Sequence, residues 1–233
     1  IKESAVILSQ ELSKKIRKIS TEKGMSPAIL FHAAYGLVVG KCSNSKYALF
    51  GSLFSGRLQG SSGAADSLGL FINTLPFYVA LEGSINGYVE TVKKRLTSLL
   101  PYEQTPLASV QGWSGVPNEV PLFSALLNFR HSPLESEEEE KSPITNLGIN
   151  VVGGQERTNY PFTLSVDDYG VDFGLTAQID ESVDAARVIE YMQEALEQLI
   201  HGLNSEEAVE INNTIISTAS SEFKPCINCS KAS

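Results

Sequence analysis

Three histidines are the side chains of this sequence best suited to act as general bases near neutral pH. His32 lies within an apolar run that predicts a buried helix, so a core or interface position is favoured over a catalytic one. His131 follows a predicted strand, where a solvated loop position is favoured. His201 lies near the end of a predicted helix, where its positive form would stabilise the negative pole of the helix dipole. None of the three histidines therefore stands out as a catalytic base.

Other candidate catalytic groups are equally isolated. Asp167 and Asp168 could pass for a carboxylate pair, but neighbours in a strand point to opposite faces, so we expect both to be solvated beside a turn. Ser55 lacks the Gly-x-Ser-x-Gly context of a nucleophile elbow. The sequence contains no phosphate-binding loop, dinucleotide fingerprint or His-Glu-x-x-His motif. The residues by themselves give no complete catalytic set.

The three cysteines indicate neither a disulfide framework nor a metal site. Cys226 and Cys229 form a Cys-x-x-Cys pair, but a structural zinc site needs two further ligands, and none is near in sequence. The polar segment around the pair is typical of a tail or linker rather than of a redox motif. We therefore expect a reduced, cytoplasmic setting and no bound metal.

The charge balance restricts the possible partners. A net charge of −9, from 18 Lys and Arg against 27 Asp and Glu, argues against a nucleic-acid partner, which would need a basic surface. No apolar stretch reaches the roughly 20 residues that cross a bilayer, so no membrane partner is expected. The apolar fraction of 42% is sufficient for a real core.

Apolar periodicity predicts helices and strands that are interspersed along the chain. Ser26 and Pro27 form a preferred helix start, and Asp184 is a favourable N-cap for the last helix. Pro76 places part of the second strand at a sheet edge or a bend. The pattern predicts an α/β fold, a mixed sheet with packed helices, and not a doubly wound nucleotide fold. The predicted helices span 9–23, 27–42, 85–100 and 185–203; the strands lie in 47–57, 68–81, 122–130 and 146–154, with two more in 160–180.

The apolar run at 67–76 is interrupted near its middle by Asn73 and Thr74. A buried strand does not normally include two side chains that must find hydrogen-bond partners. The run alone does not explain what these two residues do.

An ordered series of short motifs is similar to the condensation domains of nonribosomal peptide synthetases. Ser55-Gly56-Arg57 ends a helix, strand and turn pattern of that family, and LGLFINTLP resembles its Gly-x-Phe-Val/Ile-Asn-Thr motif. The segments YEQTPLASVQ, LFSALLNFRHSP and ERTNYPFTLSVDD then follow in the family's order. Each motif is weak alone, but the series covers residues 7 to about 203 at compatible spacings.

The resemblance implies a fold like that of chloramphenicol acetyltransferase and other CoA-dependent acyltransferases, with two lobes and a tunnel between them. In that family one 4′-phosphopantetheine arm brings a donor thioester and a second arm brings the acceptor amine, which attacks to form a peptide bond. The arms belong to carrier proteins, so no cofactor is expected to bind directly. The implied partners are the N-terminal lobe of the same domain, peptidyl or acyl carrier proteins and a neighbouring adenylation domain.

The sequence departs from the family at the signature His-His-x-x-x-Asp-Gly, because no two of its histidines are adjacent. In the family this motif belongs to the N-terminal lobe, and its second His is thought to position or deprotonate the acceptor amine. We therefore expect residues 1–204 to form the C-terminal lobe alone and 205–233 to be a poorly ordered linker or tail. No catalytic residue is expected within the chain, and no condensation by these 233 residues alone.

The resemblance also implies which residues line the tunnel. Ser55 would donate a hydrogen bond to the developing oxyanion, with a simple turn as the alternative. Asn73 and Thr74 would lie where a core strand reaches the tunnel and the junction between the lobes, with their side chains satisfied by backbone across that junction or by thioester and amide groups. The other implied tunnel residues are Arg57, Tyr102, Gln104, Arg130 and His131. The alternative is an ion pair with a neighbouring carboxylate for Arg57, local packing for Tyr102 and Gln104, and a solvated loop position for His131.

Three functions stay open from the sequence: a condensing enzyme lobe, a scaffold that binds a carrier without chemistry, and a lobe of a CoA-dependent acyltransferase. An intact His-His-x-x-x-Asp-Gly upstream would favour the enzyme, and a degenerate one the scaffold. The acidic residues 135–142 are expected to form a solvated loop. Carrier docking by this loop is the alternative, but carrier helices are often acidic and like charges repel.

Overall fold

A computed structural model describes residues 1–57, 68–131 and 157–214. Within these ranges the chain forms one six-stranded sheet and five α-helices. The strands are β1 (Lys2–Ile7), β2 (Tyr47–Phe54), β3 (Asn73–Ala80), β4 (Ala125–His131), β5 (Phe162–Asp168) and β6 (Phe173–Ile179). The helices are α1 (Gln10–Glu22), α2 (Pro27–Cys42), α3 (Ile85–Leu99), α4 (Leu107–Ser114) and α5 (Ala185–Asn204).

The long helices start where the sequence offers caps. The Ser26 side chain accepts a hydrogen bond from the backbone N–H of Ala28, and Pro27 occupies the first position of α2, as predicted. Asp184 caps α5 in the same way through the N–H of Ala186. Because each side-chain oxygen satisfies a backbone donor that has no partner within the helix, the cap determines where the helix begins.

The strand order is β1-β6-β5-β4-β2-β3. Strand β4 runs parallel to its neighbours β2 and β5, and the other pairs are antiparallel. This mixed sheet confirms the predicted α/β class. Strand β3 lies at an edge of the described sheet, as Pro76 predicted, because proline cannot donate a ladder hydrogen bond.

Within the described ranges, helices α1, α2, α3 and α5 share one core with a single face of the sheet. Alternate side chains such as Phe50, Leu127, Leu164 and Leu175 lie on this helix face and join the core that α2 and α5 complete. Helix α2 is buried almost all round, as its sequence predicted. The side chains between them point to the opposite side, called the far face below. No described helix is both long and apolar enough to span a membrane.

The structure differs from the predicted elements at several places. Strand β1 and helix α4 were not predicted, and β2 ends at Phe54, before the Ser-Gly-Arg turn. Strand β3 begins only at Asn73, whereas residues 68–72 have no regular secondary structure and leave Leu68 and Leu70 exposed. The predicted strand at 146–154, the acidic residues 135–142 and the two terminal cysteines lie outside the described residues.

Residues 205–214, expected to belong to the tail, pack on the body of the fold. The Ile85 N–H donates to the carbonyl of Val209, and the Ile211 N–H donates to the carbonyl of Gly83. The Ile211 side chain is fully buried in the core. The expected boundary at 204 is therefore too early by at least ten residues.

Candidate functional site

The eight predicted tunnel residues meet at one edge of the sheet. Strands β2, β4 and β5 are parallel to one another, so their carboxyl ends share an edge, and antiparallel β3 begins at the same edge. The turn after β2, the start of β3 and the end of β4 are therefore neighbours. The remaining two residues lie in the loop between α3 and α4, which contacts this edge through the hydrogen bonds described next.

The Ser-Gly-Arg turn is held by its own backbone and by Phe71. The Ser55 hydroxyl accepts a weak hydrogen bond from the Arg57 N–H at 3.4 Å, and Ser55 is exposed. Gly56 has φ of +69°, and a side chain there would collide with the backbone of Phe71, so only glycine fits. The Arg57 guanidinium stacks 4.8 Å from the centre of the Phe71 ring and contacts the Gly69 carbonyl.

Asn73 uses its side-chain amide to hold the loop that follows α3. Its Nδ2 donates to the carbonyl of Glu103 at 2.9 Å and to that of Thr105 at 2.6 Å. Both amide hydrogens are therefore engaged within the protein. This accounts for the polar interruption of the apolar run: Asn73 is the first residue of β3 and attaches a loop 30 residues away in sequence.

The loop is tied to the Ser-Gly-Arg turn as well. The Gln104 Nε2 donates to the carbonyl of Gly56 at 3.0 Å, and the neighbouring Glu103 is fully buried. Tyr102 is 61% exposed and so is accessible to a ligand. Asn73 and Gln104 thus both serve to position backbone. Local packing was the expected alternative for Gln104, whereas the backbone partner expected for Asn73 lay across the lobe junction and its observed partners lie within this chain.

The end of β4 carries two residues that point to opposite faces. On the far face, Arg130 forms a two-point ion pair with Asp167, with Nε–Oδ1 at 2.7 Å and Nη2–Oδ2 at 3.0 Å. On the helix face, the His131 Nδ1 lies 3.5 Å from Asp168, while most of the imidazole stays exposed. The sequence correctly separated the two aspartates by face, but the expectation that both are solvated is wrong.

Asp168 is held by α1. Both of its oxygens accept hydrogen bonds from the Arg17 guanidinium, which also stacks 4.0 Å from the centre of the Phe173 ring. Burial works to raise the pKa of Asp168, but the hydrogen bonds from Arg17 and from the Gly170 N–H, together with the charge of Arg17, lower it overall. The sequence gave no signal for this pair because its partners are 151 residues apart.

The other histidines agree with the sequence prediction. His32 is buried, its Nδ1 donates to the Ala28 carbonyl at 2.7 Å, and its Nε2 accepts from the Ser52 hydroxyl at 2.8 Å. Burial lowers the pKa of His32 to about 4, so the ring is neutral near pH 7. His201 lies in the last turn of α5 and is exposed. Within the described residues no group of His, Cys, Asp and Glu side chains could hold a metal ion.

A family model for the condensation domain matches residues 2–222. The chain therefore belongs to the condensation-domain family. Malpibaldin synthetase of Mortierella alpina is 41% identical over 206 residues, which are 87% of this chain and 4% of that protein. Malpinin synthetase of the same organism is 40% identical over 200 residues, 85% of this chain and 2% of that protein. The chain thus spans a few per cent of the length of these curated relatives.

Solved condensation domains have the same fold. The condensation domain of the monacolin K polyketide synthase MokA has a TM-score of 0.68 and 18% identity, over 90% of this chain and 48% of the solved chain. The first condensation domain of the calcium-dependent antibiotic synthetase, in complex with a substrate analogue, has a TM-score of 0.67 and 13% identity, over 92% and 47%. This chain spans about half of each solved domain.

Proposed function

We propose that residues 1–214 form the C-terminal lobe of a condensation domain and supply one wall of the tunnel in which a peptide bond forms. The observation that carries the proposal is the family match over residues 2–222, reinforced by the grouping of the motif residues at one sheet edge. The cytoplasmic setting inferred from the cysteines stays part of the proposal.

The reaction joins an acceptor amine to a donor thioester. The amine nitrogen attacks the thioester carbonyl carbon, a C–N bond forms, and the C–S bond breaks to leave the thiol of the donor arm. The proton lost by the amine is available to that thiol. The arms are 4′-phosphopantetheine groups on carrier proteins and are substrates of the domain, and an adenylation domain is the neighbour that loads the acceptor carrier.

Two roles follow for this lobe. Ser55 is exposed at the end of β2, where its hydroxyl hydrogen is available to a developing oxyanion. Asn73 and Gln104 hold the 100–107 loop against the Ser-Gly-Arg turn and so position Ser55 and Tyr102. The base that accepts the amine proton is supplied by the His-His-x-x-x-Asp-Gly motif of an N-terminal lobe, which is absent from these 233 residues.

Peptide formation with loaded donor and acceptor carriers tests the proposal. A complete condensation domain of the parent synthetase should yield a peptide detectable by mass spectrometry, and an Ala variant of the second motif His should lose it. The 233 residues alone should give none. A complete domain that binds both carriers yet forms no peptide indicates a scaffold, and transfer from a soluble CoA thioester indicates a CoA-dependent acyltransferase; either result overturns the proposal.

A further inference from the structure

Three adjacent strands carry an uncharged polar side chain at the same level of the far face. The register pairs Asn128 of β4 with Ser165 of β5, and Ser165 with Thr176 of β6. Residues paired in this way point to the same side, with Cβ atoms about 5 Å apart. Asn128, Ser165 and Thr176, called the polar row below, therefore form a line about 10 Å long across the sheet.

The polar row has no hydrogen-bond partner within the described part of the chain, although each of its members is half-buried. The next polar residues on the same face of β5 and β6 are paired. Thr163 shares a hydrogen bond of 2.7 Å with Thr158, and Gln178 donates to Glu3 at 2.8 Å. Hydroxyl and amide groups that are shielded from water normally have partners, so three adjacent half-buried groups without one in the described chain point to a ligand that covers the row.

The surroundings of the polar row restrict the ligand. On the side towards the strand ends lies the Arg130–Asp167 ion pair, in which each charge already has its partner. On the other side lie Phe123 and Tyr160, whose rings stack 5.5 Å apart at 18°. A ligand between them meets apolar rings, hydroxyl groups and an amide. This setting favours an uncharged chain with hydrogen-bonding groups over an ion.

The position of the polar row connects it with the candidate site. The same level of the sheet continues into β2 and β3. Ser52 pairs with Leu127, so Leu53 lies opposite Asn128, and Leu53 in turn pairs with Thr74. Thr74, whose methyl group lies beside Gly51, is thus on the far face at the same level. Arg130, one of the predicted tunnel residues, is two residues after Asn128 in the same strand and points the same way.

We infer that the polar row binds the secondary amide groups of the substrate arm, an inference that rests on the proposed function. A secondary amide offers one N–H donor and one carbonyl acceptor. A hydroxyl and a primary amide can each satisfy both. Such groups occur both in the pantetheine arm and in a peptidyl chain on that arm. The row holds either one along the far face, without taking part in bond making.

Steady-state kinetics of the complete condensation domain tests the row with Asn128→Leu, Ser165→Ala and Thr176→Val. Each variant removes hydrogen-bonding groups with little change of volume and should raise KM about three- to tenfold with kcat unchanged. Two pantetheine thioesters, one of a peptidyl group and one of a simple alkanoyl group without amides, show which part of the substrate supplies the bound amide. A loss confined to the peptidyl substrate assigns the row to the acyl chain, and an equal loss with both assigns it to the arm.

Matched variants complete the test. Ser165→Thr and Thr176→Ser keep the hydroxyl and should keep KM near wild type. Thr163→Val, whose hydroxyl already has Thr158 as partner, should lower the melting temperature and leave KM unchanged. Unchanged KM in all three row variants overturns the inference, as does a lowered melting temperature with unchanged KM, which would show that the row pairs with residues of this chain.

Ligand-detected NMR with pantetheine separates this inference from the proposed function. If the complete domain binds pantetheine and loses that binding in Ser165→Ala, but forms no peptide, the proposed function fails and the row stands. If the wild-type domain forms peptide and neither KM nor binding responds to the row variants, the row fails and the proposed function stands.

Discussion

The two faces of the sheet treat their polar side chains differently. On the helix face, His32 is paired with Ser52 and Ala28, and Asp168 with Arg17, so these buried polar groups have partners inside the fold. On the far face, the polar row has none in the described residues. Polar groups that are fully paired specify and stabilise a fold, whereas unpaired half-buried ones are available to a ligand. The comparison assigns stability to the paired groups of the helix face and binding to the polar row of the far face.

The largest expected effect is on the helix face, at the Arg17–Asp168 pair. Asp168→Ala leaves the partly buried Arg17 guanidinium without its carboxylate and should lower the free energy of unfolding by about 3 kcal/mol. Because the folded-state pKa of Asp168 is lowered, its contribution is present above the unfolded pKa and is lost as pH falls through the folded pKa. Urea unfolding at pH 7 and at acid pH measures both. A change below about 0.5 kcal/mol at pH 7 would show that the pair does not stabilise the helix face.

His32 should give a pH dependence of comparable size. Its pKa is lowered from 6.5 to about 4 by burial, so the unfolded chain binds more protons between these values. Stability should be complete above about pH 6.5 and fall by roughly 3 kcal/mol as pH approaches about 4. His32→Gln, which cannot become protonated, should lack this component. Equal acid sensitivity of wild type and His32→Gln would contradict the assignment.

Asn73 should show an intermediate effect. Asn73→Leu removes both hydrogen bonds to the Glu103 and Thr105 carbonyls and should cost about 2 kcal/mol in the free energy of unfolding. Asn73→Asp keeps the shape but has no N–H to donate, so it should cost at least as much. Thr74→Val, the matched neighbour on the far face, should change stability by less than about 0.5 kcal/mol. A larger loss of unfolding free energy in Thr74→Val than in Asn73→Leu would contradict the comparison of the two faces.

The smallest effect on stability is expected at the centre of the polar row. Ser165→Ala removes a hydroxyl that has no partner in the described chain, so the free energy of unfolding should change by less than about 0.5 kcal/mol. Thermal unfolding of the same variant used for the KM measurement checks this. A loss of about 2 kcal/mol would mean that Ser165 has a structural partner and that the far face resembles the helix face.

The sequence predicted the features that depend on local chemistry. Ser26-Pro27 and Asp184 were recognisable as helix starts because capping involves residues two positions apart. Helix α4 was missed because it is short and Pro106 gives it no side-chain cap. Strand β1 was missed because its exposed edge position leaves only a weak apolar pattern.

The candidate site was predictable to the level of motifs but not of contacts. The Ser-Gly-Arg, Asn-Thr and Gln104 segments do meet at one sheet edge. The sequence could not show that Asn73 donates to a loop 30 residues later or that Arg17 holds Asp168, because these pairs form only in the folded chain. The polar row escaped notice for the same reason: its three members are adjacent only through the strand register.

Protection of a cysteine at position 165 tests most directly whether the far face is the substrate face. Ser165→Cys is placed in a complete domain whose Cys226 and Cys229 are changed to Ser, and its reaction with a maleimide is timed with and without a non-hydrolysable aminoacyl-pantetheine amide. Thr97→Cys, exposed on α3, is the control. At about ten times the dissociation constant, modification at 165 should slow about tenfold and that at 97 should not. Equal rates at 165 with and without the ligand would contradict the account.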